Sequence, residues 1–147
     1  MTRSILFVCL GNICRSPTAE AVFRGLAKGR GLLIDSAGTS GWHDGGRSDP
    51  RASAEATRRG YDMSMIRSRQ VCSADFERFD LIIAMDAQNL ADLNTAHPAG
   101  AKARLELFLD YAPEFGIRDV PDPYYEDNFE QVFDMIEAAS KGLLAAI

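Results

Sequence analysis

The sequence predicts an α/β fold: a single-domain three-layer sandwich in which helices cover both faces of a four-stranded, parallel, doubly wound sheet. Short apolar runs, typical of strands that are buried on both faces, alternate with helical segments along the chain. This alternation favours parallel strands joined by helical crossovers. The chain has 147 residues, which is enough for one substantial core. We therefore expect one domain over residues 1–147.

Four strands are expected from the apolar runs, at residues 5–9, 32–36, 81–85 and 103–109. Helices are expected at residues 17–28, 51–59, 86–94 and 129–144. Glycine follows directly after the first two helices, at Gly29 and Gly60, and glycine commonly ends a helix. The last helix is amphipathic, and its inward apolar side chains are Phe129, Val132, Phe133, Ile136, Leu143 and Leu144.

The junction between the first strand and the first helix is the most informative segment. It reads Cys9-Leu10-Gly11-Asn12-Ile13-Cys14-Arg15-Ser16 and is followed by Pro17. Ser16 is a preferred N-cap residue and Pro17 suits the first helical position, so we expect the helix to begin there. A helix N-terminus attracts anions and favours the thiolate form of a nearby thiol. Arg15 adds a planar fork that matches two phosphate oxygens. Residues 9–16, here called the phosphate loop, are therefore suited to holding a phosphate group beside a nucleophile.

Other interpretations of the phosphate loop explain less of it. Cysteine is often a small buried core residue, but this leaves the Gly-Asn turn and Arg15 without a purpose. A structural zinc site usually needs four Cys or His ligands, whereas Cys72, His43 and His97 stand singly. A Walker A loop is excluded because no Gly-Lys-Ser/Thr follows the turn. No metal or other cofactor is expected, and both histidines are expected to be solvated loop residues.

The phosphate loop with Ala19-Glu20-Ala21 after it resembles the signature of the low-molecular-weight protein tyrosine phosphatases. Three further segments match this family in order. Residues 35–39 with Trp42 resemble its second strand and aromatic wall, residues 84–90 resemble the end of its third strand, and residues 122–125 resemble the loop of its general acid. The match covers nearly the whole chain. The resemblance implies hydrolysis of phosphotyrosine in proteins, and of small aryl phosphates, without a cofactor.

The residues and the resemblance together suggest a catalytic scheme. Cys9 attacks phosphorus and forms a phosphocysteine intermediate. The phosphate-binding residues are Leu10, Gly11, Asn12, Ile13, Cys14, Arg15 and Ser16, and their N–H groups and the Arg15 fork stabilise the phosphate oxygens. Asp122 is the candidate acid for the leaving phenolate and then the base for water. The alternative for Asp122 is an ordinary Asp-Pro turn.

Further residues are expected to shape the pocket or to support the loop. The expected substrate wall consists of Ile13, Trp42, Tyr124 and Tyr125. Asn12, Ser16 and Ser36 are expected to support the loop, with Asn12 either left-handed or bonded to Ser36. Asp86 fits a helix N-cap and a site residue equally well.

The second cysteine of the loop has two interpretations. Cys14 either forms a disulfide with oxidised Cys9, as the resemblance also implies, or packs beneath the loop as a core residue. One position departs from the family, because some members have a loop-bracing His where this chain has Ile66 or Arg67. We therefore expect that brace to be missing or rebuilt.

The composition excludes some classes of binding partner and favours one cellular compartment. A net charge of −5 argues against nucleic-acid binding and against a polybasic membrane anchor. No apolar stretch approaches the ~20 residues of a membrane span. Three cysteines fit a reducing cytoplasm better than a disulfide framework. We expect a cytoplasmic enzyme that acts on a phosphotyrosine-containing protein, such as a tyrosine kinase, and binds phosphate or another oxyanion in its site.

Three other functions fit the sequence less well. Arginine phosphatases on the same fold carry Thr where this chain has Ile13, and a branched apolar residue favours an aromatic substrate. An arsenate reductase needs two additional thiols, but only Cys72 lies outside the phosphate loop. A catalytically silent phosphoprotein-binding module has no need of a nucleophile and an acid together.

Overall fold

A computed structural model describes the whole chain, Met1–Ile147. Its sheet has four parallel strands in the order β2-β1-β3-β4. They are β1 Ser4–Cys9, β2 Leu33–Gly38, β3 Leu81–Ala84 and β4 Arg104–Leu107. The chain leaves β1 first towards β2 and later returns to β3 on its other side. The carboxyl end of β1 is therefore the switch point, where ligands bind in doubly wound sheets.

Six α-helices surround the sheet. They are α1 Arg15–Leu26, α2 Pro50–Arg58, α3 Asp75–Arg78, α4 Ala87–Ala96, α5 Pro123–Glu126 and α6 Phe129–Ala146. Two 3-10 helices, Phe108–Tyr111 and Pro113–Phe115, follow β4. Helices α1, α2 and α6 pack on one face of the sheet, and α3 and α4 pack on the other. The expected fold class is confirmed. None of the helices combines the length and apolar character needed to cross a membrane.

Strand β1 shows why its apolar run is continuous. Side chains alternate between the two faces of a strand, so Ile5 and Phe7 face α1 and α6 while Leu6 and Val8 face the opposite layer. All four are fully buried. Burying a large aliphatic or aromatic side chain contributes about 1.5–3 kcal/mol. The two hydrophobic layers hold β1, and with it Cys9, at the centre of the molecule.

Several predicted boundaries differ from those in the structure. Strand β4 ends at Leu107 rather than at residue 109, because its partner strand ends at Ala84, opposite Leu107. The next two residues, Phe108 and Leu109, are buried in a 3-10 turn, which explains why their apolar pattern resembled a strand. The single-turn helices α3 and α5 were not predicted. Most other ends shift by one or two residues.

The predicted start of α1 is wrong. The helix begins at Arg15, and Cys14 occupies the N-cap position without a side-chain cap. Ser16 cannot act as the cap because its hydroxyl is engaged elsewhere: it lies 2.8 Å from Asn12 Nδ2 and 3.0 Å from Cys9 Sγ. The first turn of α1 therefore keeps its N–H groups free of any side-chain cap.

Candidate active site

Asn12 fixes the shape of the phosphate loop. It is buried and has a left-handed backbone, with φ of 57°. Its Nδ2 donates to Ser36 Oγ at 3.1 Å and to Ser16 Oγ at 2.8 Å, and its Oδ1 accepts a hydrogen bond from Arg69 N at 3.0 Å. Both alternatives for Asn12 therefore hold at once. A side chain with three such bonds sets the backbone conformation of the loop.

The loop presents a set of unpaired backbone donors. Across residues 10–15, the N–H groups without an acceptor in the protein belong to Leu10, Gly11, Ile13, Cys14 and Arg15. The remaining one, Asn12 N–H, donates to Cys9 Sγ at 3.3 Å. Successive free N–H groups at a helix N-terminus form a concave site for an anion.

Cys9 lies at the base of this concave site, at the carboxyl end of β1. It is buried, and its Sγ is 3.0 Å from Ser16 Oγ. The Ser16 hydroxyl accepts from Asn12 and has one hydrogen of its own to donate. Its possible acceptors are Cys9 Sγ and Ala37 O, the latter at 3.3 Å. A sulfur anion at Cys9 would therefore receive hydrogen bonds from Ser16 and from the Asn12 backbone.

The Arg15 guanidinium is buried and held by two remote groups. Its Nη1 donates to Asp86 Oδ2 at 2.7 Å and to Val120 O at 3.0 Å. Its Nη2 and Nε have no hydrogen-bond partner in the protein, so they are free to bind an oxyanion. Burial opposes the charge of Arg15, but the nearby Cys9, Asp86 and Asp122 outweigh this and raise its pKa.

Asp86 fulfils both of the roles that the sequence left open. One carboxylate oxygen binds Arg15, and the other accepts from Asn89 N at 2.7 Å as the N-cap of α4. The cap fixes the carboxylate, and the carboxylate fixes the guanidinium. Asp86 is thus part of the site through Arg15.

Asp122 reaches the same site from a separate segment. It is the N-cap of α5, with Oδ1 accepting from Tyr124 N at 3.1 Å, while Oδ2 lies 3.7 Å from Arg15 Nη2. About a third of its side chain is exposed, at 32%. Pro123 follows at the first helical position and is buried. The carboxyl group is therefore anchored on one oxygen and directed at the Arg15 fork with the other.

A cavity of about 270 Å³ opens above Cys9 and Arg15. The four expected wall residues, Ile13, Trp42, Tyr124 and Tyr125, all line it. Trp42 and Tyr125 are about 80% exposed, at 82% and 79%, so their faces are free to meet a ligand. His43 also lines the cavity, which sequence reasoning missed by treating it as a solvated loop residue. His43 is exposed like an ordinary loop residue, and only its position beside the phosphate loop shows that it belongs to the cavity.

The brace expected near Ile66 is rebuilt two residues further along. The Ser68 hydroxyl lies 2.6 Å from Asn12 O and 3.0 Å from Gly11 O, and Arg69 N donates to the Asn12 side chain. The Ser68 side chain thus contacts the carbonyls on the outer side of the loop. Nothing in the local sequence around Ser68 signals this role.

Ser36 connects the loop to a buried carboxylate that sequence reasoning also missed. Its hydroxyl donates to Glu20 Oε1 at 2.7 Å, and Arg24 Nη2 donates to Glu20 Oε2 at 2.5 Å. Burial raises the pKa of Glu20, although the bonds from Ser36 and Arg24 oppose the shift. Glu20 stood within the sequence motif, but its spacing gave no indication of a contact with Ser36.

Cys14 packs beneath the loop in the hydrophobic core. Burial, and then the negative charge of Asp49, raise the pKa of its thiol well above the ordinary range. All three cysteines of the chain are free thiols. The redox role of Cys14 stays a prediction.

The sequence and the structure of the chain both resemble those of known proteins. Residues 4–147 match the family model described as "Low molecular weight phosphotyrosine protein phosphatase". A Streptomyces coelicolor protein named low molecular weight protein-tyrosine-phosphatase is 48% identical over 156 aligned positions, which cover 100% of this chain and 94% of that protein.

Solved structures of similar proteins superpose on nearly the whole chain. The crystal structure of YfkJ from Bacillus subtilis is 42% identical to this chain with a TM-score of 0.93, and the match covers 100% of this chain and 95% of that one. The crystal structure of DARP, a Drosophila arginine phosphatase, is 28% identical with a TM-score of 0.89, and the match covers 99% and 97% of the two chains.

Proposed function

Because the chain belongs to the low molecular weight phosphotyrosine protein phosphatase family, we propose that it hydrolyses phosphotyrosine in proteins, and small aryl phosphates, through a phosphocysteine formed on Cys9. The observation that carries the proposal is the position of Cys9 Sγ beneath five free backbone N–H groups, in one cavity with Arg15 and Asp122. Nucleophile, oxyanion site and acid are the three elements that phosphoryl transfer to a thiolate needs.

In the first step the Cys9 thiolate attacks phosphorus. The S–P bond forms while the bond between phosphorus and the phenolic oxygen breaks. Asp122 gives its proton to the departing oxygen, because an aryl oxide leaves far more easily as the neutral phenol. The free N–H groups and the Nη2 and Nε of Arg15 stabilise the equatorial oxygens. Asp86 and Val120 hold Arg15 Nη1, so the fork is already oriented when the substrate arrives.

In the second step Asp122 acts as a base. Its carboxylate takes a proton from water, the water oxygen attacks phosphorus, and the S–P bond breaks to release inorganic phosphate. The Ser16 hydroxyl donates to the departing Cys9 thiolate and makes it a better leaving group. The enzyme then returns to its starting state with Asp122 protonated.

The pocket wall favours an aromatic substrate. Ile13, Trp42, Tyr124 and Tyr125 place apolar surface around the mouth, where a phenyl ring would lie above the phosphate. Phosphoarginine is the competing substrate, since the chain also resembles an arginine phosphatase, at the lower identity of 28%. A polar phosphoguanidine group gains less binding free energy from contact with an apolar wall than a phenyl ring does.

The experiment is a comparison of matched peptides that carry phosphotyrosine, phosphoserine or phosphoarginine at one position. We expect kcat/KM for the phosphotyrosine peptide to exceed the values for the phosphoserine and phosphoarginine peptides by at least about an order of magnitude. Only the aromatic ring of phosphotyrosine packs against the substrate wall. Faster release of phosphate from the phosphoarginine peptide would replace the tyrosine assignment with the arginine one. Cys9→Ser and Asp122→Ala serve as controls for contaminating activity.

A redox role for Cys14 is a further part of the proposal. Peroxide oxidises the Cys9 thiolate to a sulfenic acid, and the Cys14 sulfur then displaces water to form a disulfide. A dithiol restores both cysteines. Both thiols are buried and line the same cavity, and Cys9 is near enough to raise the pKa of Cys14, which supports the pairing. The raised pKa of Cys14 makes its thiolate scarce at neutral pH, so closure depends on pH.

A further inference from the structure

The segment that carries the general acid is held from outside by one arginine. Residues 122–127, here called the acid segment, contain the single helical turn α5, and the residues after Pro123 are exposed. Arg51 is the one side chain outside the segment that donates hydrogen bonds to it. Its Nη2 donates to Tyr124 O at 3.2 Å, and its Nη1 lies 3.5 Å from Asp127 Oδ1. The other polar group from outside that approaches the segment is Arg15, whose Nη2 lies 3.7 Å from Asp122 Oδ2.

The Arg51 guanidinium also lies over the aromatic rings at this end of the segment. Its central carbon is 5.5 Å from the ring centroid of Tyr124 and 4.8 Å from that of Phe129. A guanidinium above an aromatic face is attracted by the negative face of the ring. Lysine would keep the charge but lose the planar stacking.

The opposite side of Arg51 is anchored to the phosphate loop through Asp49. Arg51 Nε and Nη2 donate to the two carboxylate oxygens of Asp49, at 3.2 and 3.1 Å, and Asp49 N donates to Ile13 O at 2.8 Å. Asp49 is buried and also caps α2. Burial opposes its ionisation, but the hydrogen bonds from Arg51 outweigh this and hold the pKa of the carboxyl below its ordinary value.

These contacts form one continuous link from a carbonyl of the phosphate loop to a carbonyl of the acid segment. Tyr124, which receives the link through its carbonyl, donates its own N–H to Asp122 Oδ1 at 3.1 Å. Arg51 does not line the substrate cavity. Of its two routes to the site, the one that ends on a reacting group passes through Tyr124 to Asp122.

We propose that Arg51 is a positioning residue for the general acid, and that it holds the Asp122 carboxyl at the point where the leaving oxygen departs. The inference rests on the proposed function, because it takes Asp122 to be the acid. Without Arg51 the single turn loses its hydrogen bonds to the body of the protein, and Asp122 is aligned for less of the time. Proton donation then slows. Phosphate binding and attack by Cys9 should change little, because the Asp49 backbone N–H still holds Ile13 O when the Arg51 side chain is removed.

The test compares two substrates in matched variants. Phenyl phosphate has a strongly basic leaving group that needs a proton, and 2,4-dinitrophenyl phosphate has a weakly basic one that does not. Arg51→Gln should lower kcat/KM for phenyl phosphate roughly ten-fold, a part of the ~10²–10⁴-fold that a general acid supplies. It should leave kcat/KM for the dinitrophenyl ester within a factor of about two. Arg51→Lys keeps the charge without the planar guanidinium, so its kcat/KM for phenyl phosphate should lie between those of Arg51→Gln and wild type.

Arg58→Gln is the matched control, because it removes another arginine from α2. Arg58 binds Glu55 and Glu130, away from the acid segment, so both substrates should react at the wild-type rate. In an Asp122→Asn background, Arg51→Gln should have no further effect on phenyl phosphate. Thermal unfolding of each variant identifies loss of folded protein, and Arg51→Lys provides the test if Arg51→Gln does not fold.

The outcomes separate the inference from the proposed function. An equal loss on both substrates, or a full further loss in the Asp122→Asn background, would show that Arg51 does not act through the acid and would overturn the inference. If Asp122→Asn alone slows both substrates equally, the assignment of the acid itself is wrong. If Asp122→Asn discriminates between the substrates and Arg51→Gln does not, only the inference fails.

Discussion

The phosphate loop and the acid segment face the same cavity but are held in different ways. The side chains that hold the loop are buried, and Asn12, Ser16, Ser36 and Ser68 connect it to β2, α1 and the segment before α3. The acid segment is a single exposed turn that depends on Arg51 for its hydrogen bonds to the rest of the protein. An oxyanion site works only if its dipoles are already oriented, whereas a proton donor needs to be aligned only when the leaving group departs.

This difference predicts that the two regions respond differently to substitution. Changes beneath the loop should reduce both stability and all phosphatase activity, because the buried hydrogen bonds support both. Changes in the acid segment should leave stability nearly unchanged and affect mainly substrates with poor leaving groups.

The largest expected effect is loss of the nucleophile. Cys9→Ser should lower the hydrolysis of a phosphotyrosine peptide by at least about four orders of magnitude, because a serine hydroxyl is not ionised at neutral pH. Binding of inorganic phosphate, measured by a thermal shift, should persist because the N–H groups and Arg15 are unchanged. A variant that retained a tenth of wild-type turnover would exclude Cys9 as the nucleophile.

Loss of the acid should have the next largest effect. Asp122→Ala should lower kcat/KM for phenyl phosphate by ~10²–10⁴-fold and spare substrates whose leaving group needs no proton. Steady-state rates across a series of substituted phenyl phosphates measure this dependence. If Asp122→Ala slows all the substituted phenyl phosphates by the same factor, Asp122 serves only as the N-cap of α5.

Stability should distinguish the two regions directly. Asn12→Ala removes three side-chain hydrogen bonds and places alanine at a φ of 57°, so the free energy of unfolding should fall by about 1–3 kcal/mol or more. Tyr125→Ala, at an exposed position of the cavity wall, should change it by less than about 0.5 kcal/mol. Denaturant unfolding provides both values. Equal losses would remove the contrast between a rigid loop and a loosely held segment.

The smallest expected effect concerns Cys14 and pH. Because burial raises the pKa of Cys14, its thiolate fraction at neutral pH is small and increases as the pH rises. After peroxide treatment, the fraction of enzyme that dithiothreitol reactivates should therefore increase from neutral to alkaline pH. Cys14→Ser should show no such rescue at either pH. Equal recovery of wild type and Cys14→Ser would limit Cys14 to a packing role.

Features encoded within a few residues of sequence were predictable. Cys9 and Arg15 are six positions apart in one loop, so the strand, the turn and the helix start predict their meeting. Asp122 was proposed as the acid only because it occurs together with Tyr124-Tyr125 and the phosphate loop, and that role stays a prediction. The N-cap assignment of Ser16 was wrong because Cys9 and Asn12 compete for its hydroxyl, a contact that depends on how the loop folds.

Features that depend on packing were not predictable from the sequence. Asp86 and Arg15 are 71 positions apart, and Ser68 and Asn12 are 56 apart. The first contact arises because the parallel strands β1 and β3 bring their carboxyl ends to one edge of the sheet, and the second because the segment before α3 pairs with Gly38 at the end of β2. Local patterns do not encode which polar side chain will meet which. The link from Asp49 through Arg51 to Tyr124 is of the same kind. The single domain over residues 1–147 and the cytoplasmic location stay predictions.

The central claim is that phosphate passes through the sulfur of Cys9, and trapping the intermediate tests it most directly. Asp122→Ala is mixed with 2,4-dinitrophenyl phosphate, which phosphorylates the enzyme without an acid, while the missing base slows hydrolysis. After a quench in denaturant at alkaline pH, which preserves the S–P bond, and proteolysis, mass spectrometry should find one phosphoryl group on the peptide that contains Cys9, and none in Asp122→Ala that also carries Cys9→Ser. A phosphoryl group on another residue, or turnover with none trapped at any time, would contradict the mechanism.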